Sequence, residues 1–552
     1  MKRLTIYIPF MLQFAATLLL LSVVCVSSPE LPPGEQAKQW QWLAYSGIVY
    51  AICILLSLLF YPYLMKFKWP DYTHIVVWSL ILLGGCEAVT GLRQLYGFTY
   101  SNHSLFALTG SFFNPGPYSG YLAMIFPVCL SEYYRLKEIS KTSFWAKIGY
   151  YFTIGILLLM LCVLPAGMSR SSWFAAGISG LFVIGYYKQW GKKLKEHWIN
   201  NRKKALVWLV SGCICLLIGL VAIFYLKKDS ANGRLFMWKI SLNAIAEKPL
   251  TGYGYDGFST AYGAAQEAYF ANGTYAVWEE HVAGSPEYAF NEFLQIAIEW
   301  GVPALLFCLT VVGFCFWHGL KKSRIGVCGG ILSLAVFAFS SYPLQLSVFI
   351  VTFFILLLAC ITGKNYMWLI VSCLIVFSCS LHLWKTDDYD ACKEWTHARL
   401  FYNSGAYESA RDKYILLYSK LKNRAMFMFE YGRCLQKLND YDASNRVLQE
   451  TGLLTCDPMV FNLIGKNYQN KGEYEKAEEY FLRSVHRLPG RIYPYYLLAK
   501  LYAEPDFFQV DKLEYAARMV MEKEPKVQST AIREMREEVR KICSTHHSSD
   551  QK

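Results

Sequence analysis

Up to about residue 385 the chain is a succession of long apolar runs; beyond it, apolar positions recur at helical spacing among charged ones. A helix needs about 20 apolar residues to cross a hydrocarbon core. By that measure the runs at 4–26, 41–64, 72–91, 116–134, 149–167, 171–187, 205–226, 299–318, 326–344, 347–362 and 366–384 read as about eleven spanning helices. Lys2 and Arg3 precede the first run as they would a signal peptide. Its apolar stretch is long and no small-x-small cleavage site is clear, so it reads as an uncleaved anchor.

After residue 390 a second periodicity appears. Tyr407-Glu408-Ser409-Ala410 returns as Tyr441-Asp442-Ala443-Ser444 and as Tyr474-Glu475-Lys476-Ala477, and Gly432 and Gly465 recur in step. The fullest copy, Leu463-Ile464-Gly465 through Tyr468, Gly472, Tyr474, Ala477, Tyr480-Phe481 and Pro489, resembles the tetratricopeptide pattern, in which small residues let paired helices approach and aromatics fill the gap. A partial copy at Tyr495-Leu498-Ala499-Tyr502 and a polar capping helix over 525–541 are expected to complete it. Such arrays present concave surfaces to proteins or peptides. The expected fold is therefore all-α. A transmembrane domain covers 1–385, a soluble tetratricopeptide-like domain 386–541, and a polar tail 542–552.

Composition adds one correction to first impressions. The net charge of +13 suggests nucleic acid, but from Thr386 onward 26 Lys+Arg face 25 Asp+Glu, so nearly all the excess lies in the membrane half. It sits in alternate connections: Lys66 and Lys68, Arg135 to Lys147, seven cations over 188–204, Lys321 to Arg324, and Lys364. Short cytoplasmic loops are enriched in Lys and Arg. This pattern excludes nucleic acid as the partner and sets the amino terminus in the cytoplasm. An odd number of spans then puts the carboxy-terminal domain outside the cytoplasm. Of 17 cysteines, 13 lie in or beside apolar runs, where Cys is a small hydrophobe. Cys213 and Cys215 fall inside a span, and Cys392, Cys434, Cys456 and Cys543 have no zinc spacing, although bridges among these four stay open. No metal and no cofactor is expected.

One outer connection, 227–298, is long and rich in Gly, Tyr and Asn, and loops of that length are usually functional. Its Gly252-Tyr253-Gly254-Tyr255-Asp256-Gly257 fits a dinucleotide fingerprint in letters only, because the strand and βαβ setting are missing. The glycines there suit a tight, close-packed turn. Four segments stand out together: Thr109 to Leu122, Ser169-Arg170-Ser171-Ser172-Trp173, Gly233 to Gly254, and Ala289 to Gly301. In this order, over roughly 80–320, they resemble the O-antigen ligase and polymerase superfamily, which includes bacterial protein O-oligosaccharyltransferases.

The resemblance implies transfer of a glycan from a polyprenyl-diphosphate carrier to a lipid or protein acceptor. Diphosphate is a good leaving group, so the enzyme must clamp an anion at the membrane surface and position an acceptor hydroxyl. Arginine suits the clamp because its planar fork stays charged and binds phosphate oxygens in pairs. Arg170 and Arg234 match family arginines, with Arg93 a third candidate at the outer end of span three. An interfacial anchor with a snorkelling head is the competing reading of Arg170, and a surface residue that of Arg234. Asn114, Tyr118, Tyr253 and Asn291 are candidates for supporting the site, with packing the plainer role. Where many family members carry a histidine before the asparagine, this chain has Phe290, which takes no proton. Glu292 and His281 are the candidate substitutes as general base. A polymerase adding to another lipid-linked unit, and a non-catalytic scaffold recruiting glycan-assembly proteins through its repeats, remain open alternatives. A transporter is disfavoured by the lack of charged residues aligned within the spans.

Overall fold

The computed structural model describes residues 4–59, 71–200, 202–204, 206–207, 210–212, 214, 228–362 and 367–549. The expected span 205–226, with Cys213 and Cys215, lies largely outside these residues. The fold is all-helical.

The first elements are α1 Leu4–Leu21, α2 Ala37–Leu59, α3 Tyr72–Leu95, α4 Pro115–Ile139, α5 Phe144–Val163, α6 Arg170–Tyr187 and α7 Trp190–Asn200. Next come α8 Lys228–Glu247, α9 Phe258–Ala271, α10 Val277–Val282, α11 Glu292–Lys321, α12 Ile325–Ala338, α13 Ser347–Ile361 and α14 Met367–Lys385. Among the described residues six helices are long and apolar enough to cross a membrane: Ile8–Cys25, α2, α3, α5, α11 and the helix beginning at Met367. Two shorter apolar helices, α12 and α13, accompany them. The chain is a multi-pass membrane protein.

Two compact units result. The membrane unit holds 1–223, 290–293 and 306–392. Its core is built from α3, α4, α12 and α13, with Tyr118, Tyr121, Phe337 and Phe349 fully buried. The expected span 326–344 is cut short: α12 ends at Ala338 and the chain turns through Pro343–Gln345 before α13. Proline has no N–H to continue a helix and fixes its own φ, so an apolar run containing Pro343 breaks there.

The second unit holds 224–289, 294–305 and 393–552. The expected outer loop is largely helical, because Phe236, Ile240 and Ala244 repeat every fourth residue and bury one face of α8. The remaining helices are α15 Tyr389–Asn403, α16 Tyr407–Leu421, α17 Ala425–Lys437, α18 Tyr441–Thr451, α19 Met459–Asn470, α20 Tyr474–Arg487, α21 Ile492–Tyr502, α22 Val510–Glu522 and α23 Thr530–Ser549. Consecutive helices pack in pairs, α17 on α18 and α19 on α20. The expected capping helix 525–541 instead starts at Thr530, beyond Pro525, and runs to Ser549, so most of the expected tail is helical. Cys392, Cys434, Cys456 and Cys543 are free thiols.

The segment read as a loop and the carboxy-terminal helices share one apolar core: Phe236, Phe258, Tyr262 and Ala289 pack with Cys456 and Leu488. Polar contacts reinforce the seam. Arg487 Nε donates to Glu267 Oε2 at 3.0 Å and Arg483 Nε to Glu267 Oε1 at 2.8 Å. Gln266 Nε2 donates to the Arg487 carbonyl at 2.6 Å, and the Cys456 N–H to Ser259 Oγ at 3.0 Å. Segments that share a core lie on the same side of a bilayer. Four helices, α11 to α14, separate them along the chain, an even number.

Candidate functional site

In the membrane unit the break between α12 and α13 gathers the candidate residues. Interrupted backbone must find partners for its polar groups. Here Leu344 N–H donates to Glu292 Oε1 at 2.6 Å and Gln345 Nε2 to Glu292 Oε2 at 3.1 Å. Gln36 Nε2 donates to the Gln345 carbonyl at 3.1 Å, and its Oε1 accepts from Ser347 N–H at 3.0 Å. Ser340 Oγ donates to Ser171 Oγ at 2.8 Å, next to Arg170. Tyr342 receives Asn114 Nδ2 at 3.4 Å on its hydroxyl, and the Phe290 ring stands edge-on to it at 5.1 Å. Three of the four sequence segments therefore converge on 340–345, all but the last residue of which the sequence alone read as the end of a span.

Arg170 is the first residue of α6 and half-buried. A helix N-terminus already carries partial positive charge, so a guanidinium there concentrates attraction for an anion. Glu292 opens α11, where an acid suits the helix dipole, and is 2% exposed. Both its oxygens accept from the 344–345 turn, which gives the carboxylate a holding role. Asn291 is buried, and its Oδ1 accepts from Phe293 N–H at 3.0 Å. Phe290 has φ 47°, a left-handed conformation that costs a bulky side chain energy. Tyr118 is wholly buried and donates to the Glu87 carbonyl at 3.0 Å, so its support is packing. Arg93 is exposed in the last turn of α3.

The other unit holds Arg234, half-buried on α8, and His281, exposed on α10. Lys239 on α8 pairs with Glu279 on α10 at 2.6 Å, and Tyr269 donates to the same carboxylate at 2.7 Å. Burial pushes the Glu279 carboxyl up, but Lys239, the Ala276 N–H and Tyr269 outweigh it and hold it below its usual range. Tyr253 donates to Glu247 at 2.7 Å; burial first, then that carboxylate, push its phenol up to about 12.

The glycine motif forms a backbone clasp. Tyr253 and Gly254 N–H groups donate to the Ile298 and Glu299 carbonyls at 2.9 Å each, and Val302 N–H to the Pro249 carbonyl at 2.8 Å. Gly252 has φ 66°, and a Cβ there would lie 2.4 Å from the Glu299 oxygen. Gly301 kinks α11, and a Cβ on it would lie 2.3 Å from the Leu250 oxygen.

Residues 155–309, from within α5 to within α11, match the family model for O-antigen ligase. This stretch is similar to an O-antigen ligase domain. That domain takes in Arg170, Arg234, Tyr253, His281, Phe290, Asn291 and Glu292, while Arg93, Asn114 and Tyr118 precede it. That match supports a membrane glycosyltransferase superfamily of ligase and polymerase type. No curated protein matches the chain. Sequence reasoning missed Ser340, Tyr342 and Gln345, although Ser340-Ser341-Tyr342-Pro343 inside an apolar run was a readable signal.

Proposed function

We propose that the protein is a ligase-type transferase that moves a glycan from a polyprenyl-diphosphate carrier to a lipid A-core or protein acceptor at the periplasmic face of the inner membrane. The observation that carries this reading is the meeting of the Arg170 turn, Asn114 and the 290–293 segment on one helix break inside a membrane unit. Arg170 binds the diphosphate; Arg234, which the family resemblance also points to, is the second candidate and Arg93 a weaker third. Glu292 acts chiefly as a positioning residue, because its oxygens already serve the 344–345 turn. The acceptor proton goes to His281 or to the departing diphosphate itself. The carboxy-terminal helices, read as tetratricopeptide-like repeats, hold a protein or peptide partner.

Deletion of the gene followed by gel analysis of surface glycans tests the reaction class. A ligase leaves its acceptor without any long glycan; single repeat units remaining on the acceptor indicate a polymerase instead. Complementation then tests the residues. Arg170→Ala and Arg234→Ala should each lose most transfer, and wild-type behaviour of both would refute the anion clamp. Glu292→Gln, which keeps an acceptor for Leu344 N–H, should retain activity to within about tenfold, whereas loss of a general base costs about 100-fold or more.

A further inference from the structure

A groove of about 1000 Å³ lies in the membrane unit between the 26–39 segment and the 97–113 segment, with Leu346 and Val348 at its floor. Its size is at the upper end of the usual range for small-ligand pockets, about 300–1000 Å³. Among the described residues, neither Lys nor Arg lines it. Its single carboxylate, Glu35, is already engaged, accepting from the Gln36 and Ala37 N–H groups at 2.9 and 3.1 Å to start α2. A diphosphate would find no counter-charge there.

What the groove does offer is fixed amides, hydroxyls and open rings. Gln94 is buried and holds the outer wall, accepting from Thr109 and Gly110 N–H at 2.9 and 2.7 Å and donating to the Gly110 and Tyr100 carbonyls at 2.9 and 3.2 Å. Asn102 ties the same wall to the Phe112 carbonyl at 3.1 Å. His103 Nδ1 accepts from Leu105 N–H at 3.0 Å, which leaves Nε2 as the donor of the neutral ring. That ring lies tilted against Phe106 at 4.7 Å and edge-on to Phe113 at 5.0 Å, while Tyr100 stands almost fully exposed. Thr99 Oγ1 is buried with no partner among the described residues. An alkyl chain in this groove would leave Thr99 Oγ1 and His103 Nε2–H without a partner, a costly burial. A sugar ring suits both halves of the lining, its hydroxyls meeting the Thr99 hydroxyl and the His103 ring N–H and its C–H face meeting aromatic rings. The groove also adjoins the candidate site, since Gln36 bonds both Gln345 and Ser347.

We propose that this groove is a saccharide subsite that takes uncharged sugar residues of the transferred glycan, an assignment that rests on the glycan-transfer reading. The test uses the full-length protein in detergent micelles and neutral oligosaccharides released by mild acid from the surface glycan of the producing cell. Saturation-transfer NMR and titration measure their binding. Wild type should bind, and the exposed-ring double variant Tyr100→Ala/Phe106→Ala should bind about tenfold more weakly, as the loss of two ring contacts implies. Arg170→Ala should bind the free oligosaccharide as wild type does. Absence of neutral-sugar binding by a wild type that still turns over donor overturns the subsite, as does unchanged affinity in the double variant. Displacement of the sugar by a long-chain alcohol but not by other sugars would identify a lipid groove and also overturn it. If Arg170→Ala transfers normally while sugar binding still depends on Tyr100 and Phe106, the anion clamp fails and the subsite stands.

Discussion

Arg487→Ala should loosen the seam between the carboxy-terminal helices and α9. The Arg487 side chain is 5% exposed, and Glu267, its partner on α9, is 19% exposed. Burial pulls the guanidinium of Arg487 below its ordinary basicity, with Glu267 opposing, so the charge is tolerated because the carboxylate is there. Removing one member of a buried pair costs about 3–5 kcal/mol. The lower end applies, since Glu267 keeps Arg483 at 2.8 Å after the substitution. Loss of the Arg487 stack over Phe461, centroid distance 4.5 Å, works in the same direction. A cost of about 3 kcal/mol multiplies local opening by roughly 100-fold.

Hydrogen exchange of the 258–271 amides in the solubilised protein reads that opening directly. Arg487→Ala should raise those rates by about two orders of magnitude. Arg483→Ala should have little effect, because its side chain is 38% exposed and exposed ion pairs contribute about 0–1 kcal/mol. Glu267→Gln should be the most damaging of the three, as it leaves the buried Arg487 without an acid. Equal effects of the two arginine variants, or unchanged exchange in α9, would refute the argument that this pair fastens the seam.

Three further outcomes follow from the geometry. Gly252→Ala should lower the melting temperature far more than Gly254→Ala: both have positive φ, but only at Gly252 would a Cβ meet backbone, whereas Gly254 has open space within 4 Å; equal shifts would count against the clasp. Glu279 has its folded pKa depressed below its ordinary 4.5, so its contribution is present above that pH and is lost as pH falls through the lower folded value; thermal unfolding from pH 6 down to 3 should show this decline, and Glu279→Gln should flatten it. Topology reporters inserted at the exposed 271–274 turn and after Ser549 should report the same side of the membrane, because both segments belong to the unit with the shared core.

Much of the architecture was legible because membranes simplify the code. Apolar runs located α3, α6, α13 and α14 to within a few residues, and the tyrosine and glycine register located the paired helices around Gly432 and Gly465. Two features escaped it for identifiable reasons. Hydropathy averages over a window, so the run 326–344 concealed a helix that stops at Ala338, and only Pro343 within it marked the break. Length and glycine content suggested a loop over 227–298, yet the four-residue repeat of Phe236, Ile240 and Ala244 was the sign of a helix with a buried face. The candidate site was half legible. Arg170, Asn114 and the 290–293 segment stood out as motifs, but their meeting point is a backbone irregularity, and sequence spacing carries no record of which distant segments satisfy it.

The shared core also changes what the topology argument depends on. Counting all spans to decide where the carboxy-terminal domain lies requires every span to be right, including 205–226. The relation between the 227–289 segment and that domain requires only the four helices α11 to α14, all described. Of these, α11 and the helix beginning at Met367 are long enough to cross and α12 and α13 are shorter; with the short pair counted or omitted the number is even, in agreement with a core in which Tyr262 and Ala289 pack with Cys456 and Leu488. The carboxy-terminal helices are thus built onto the segment that bears Arg234, rather than tethered beside it.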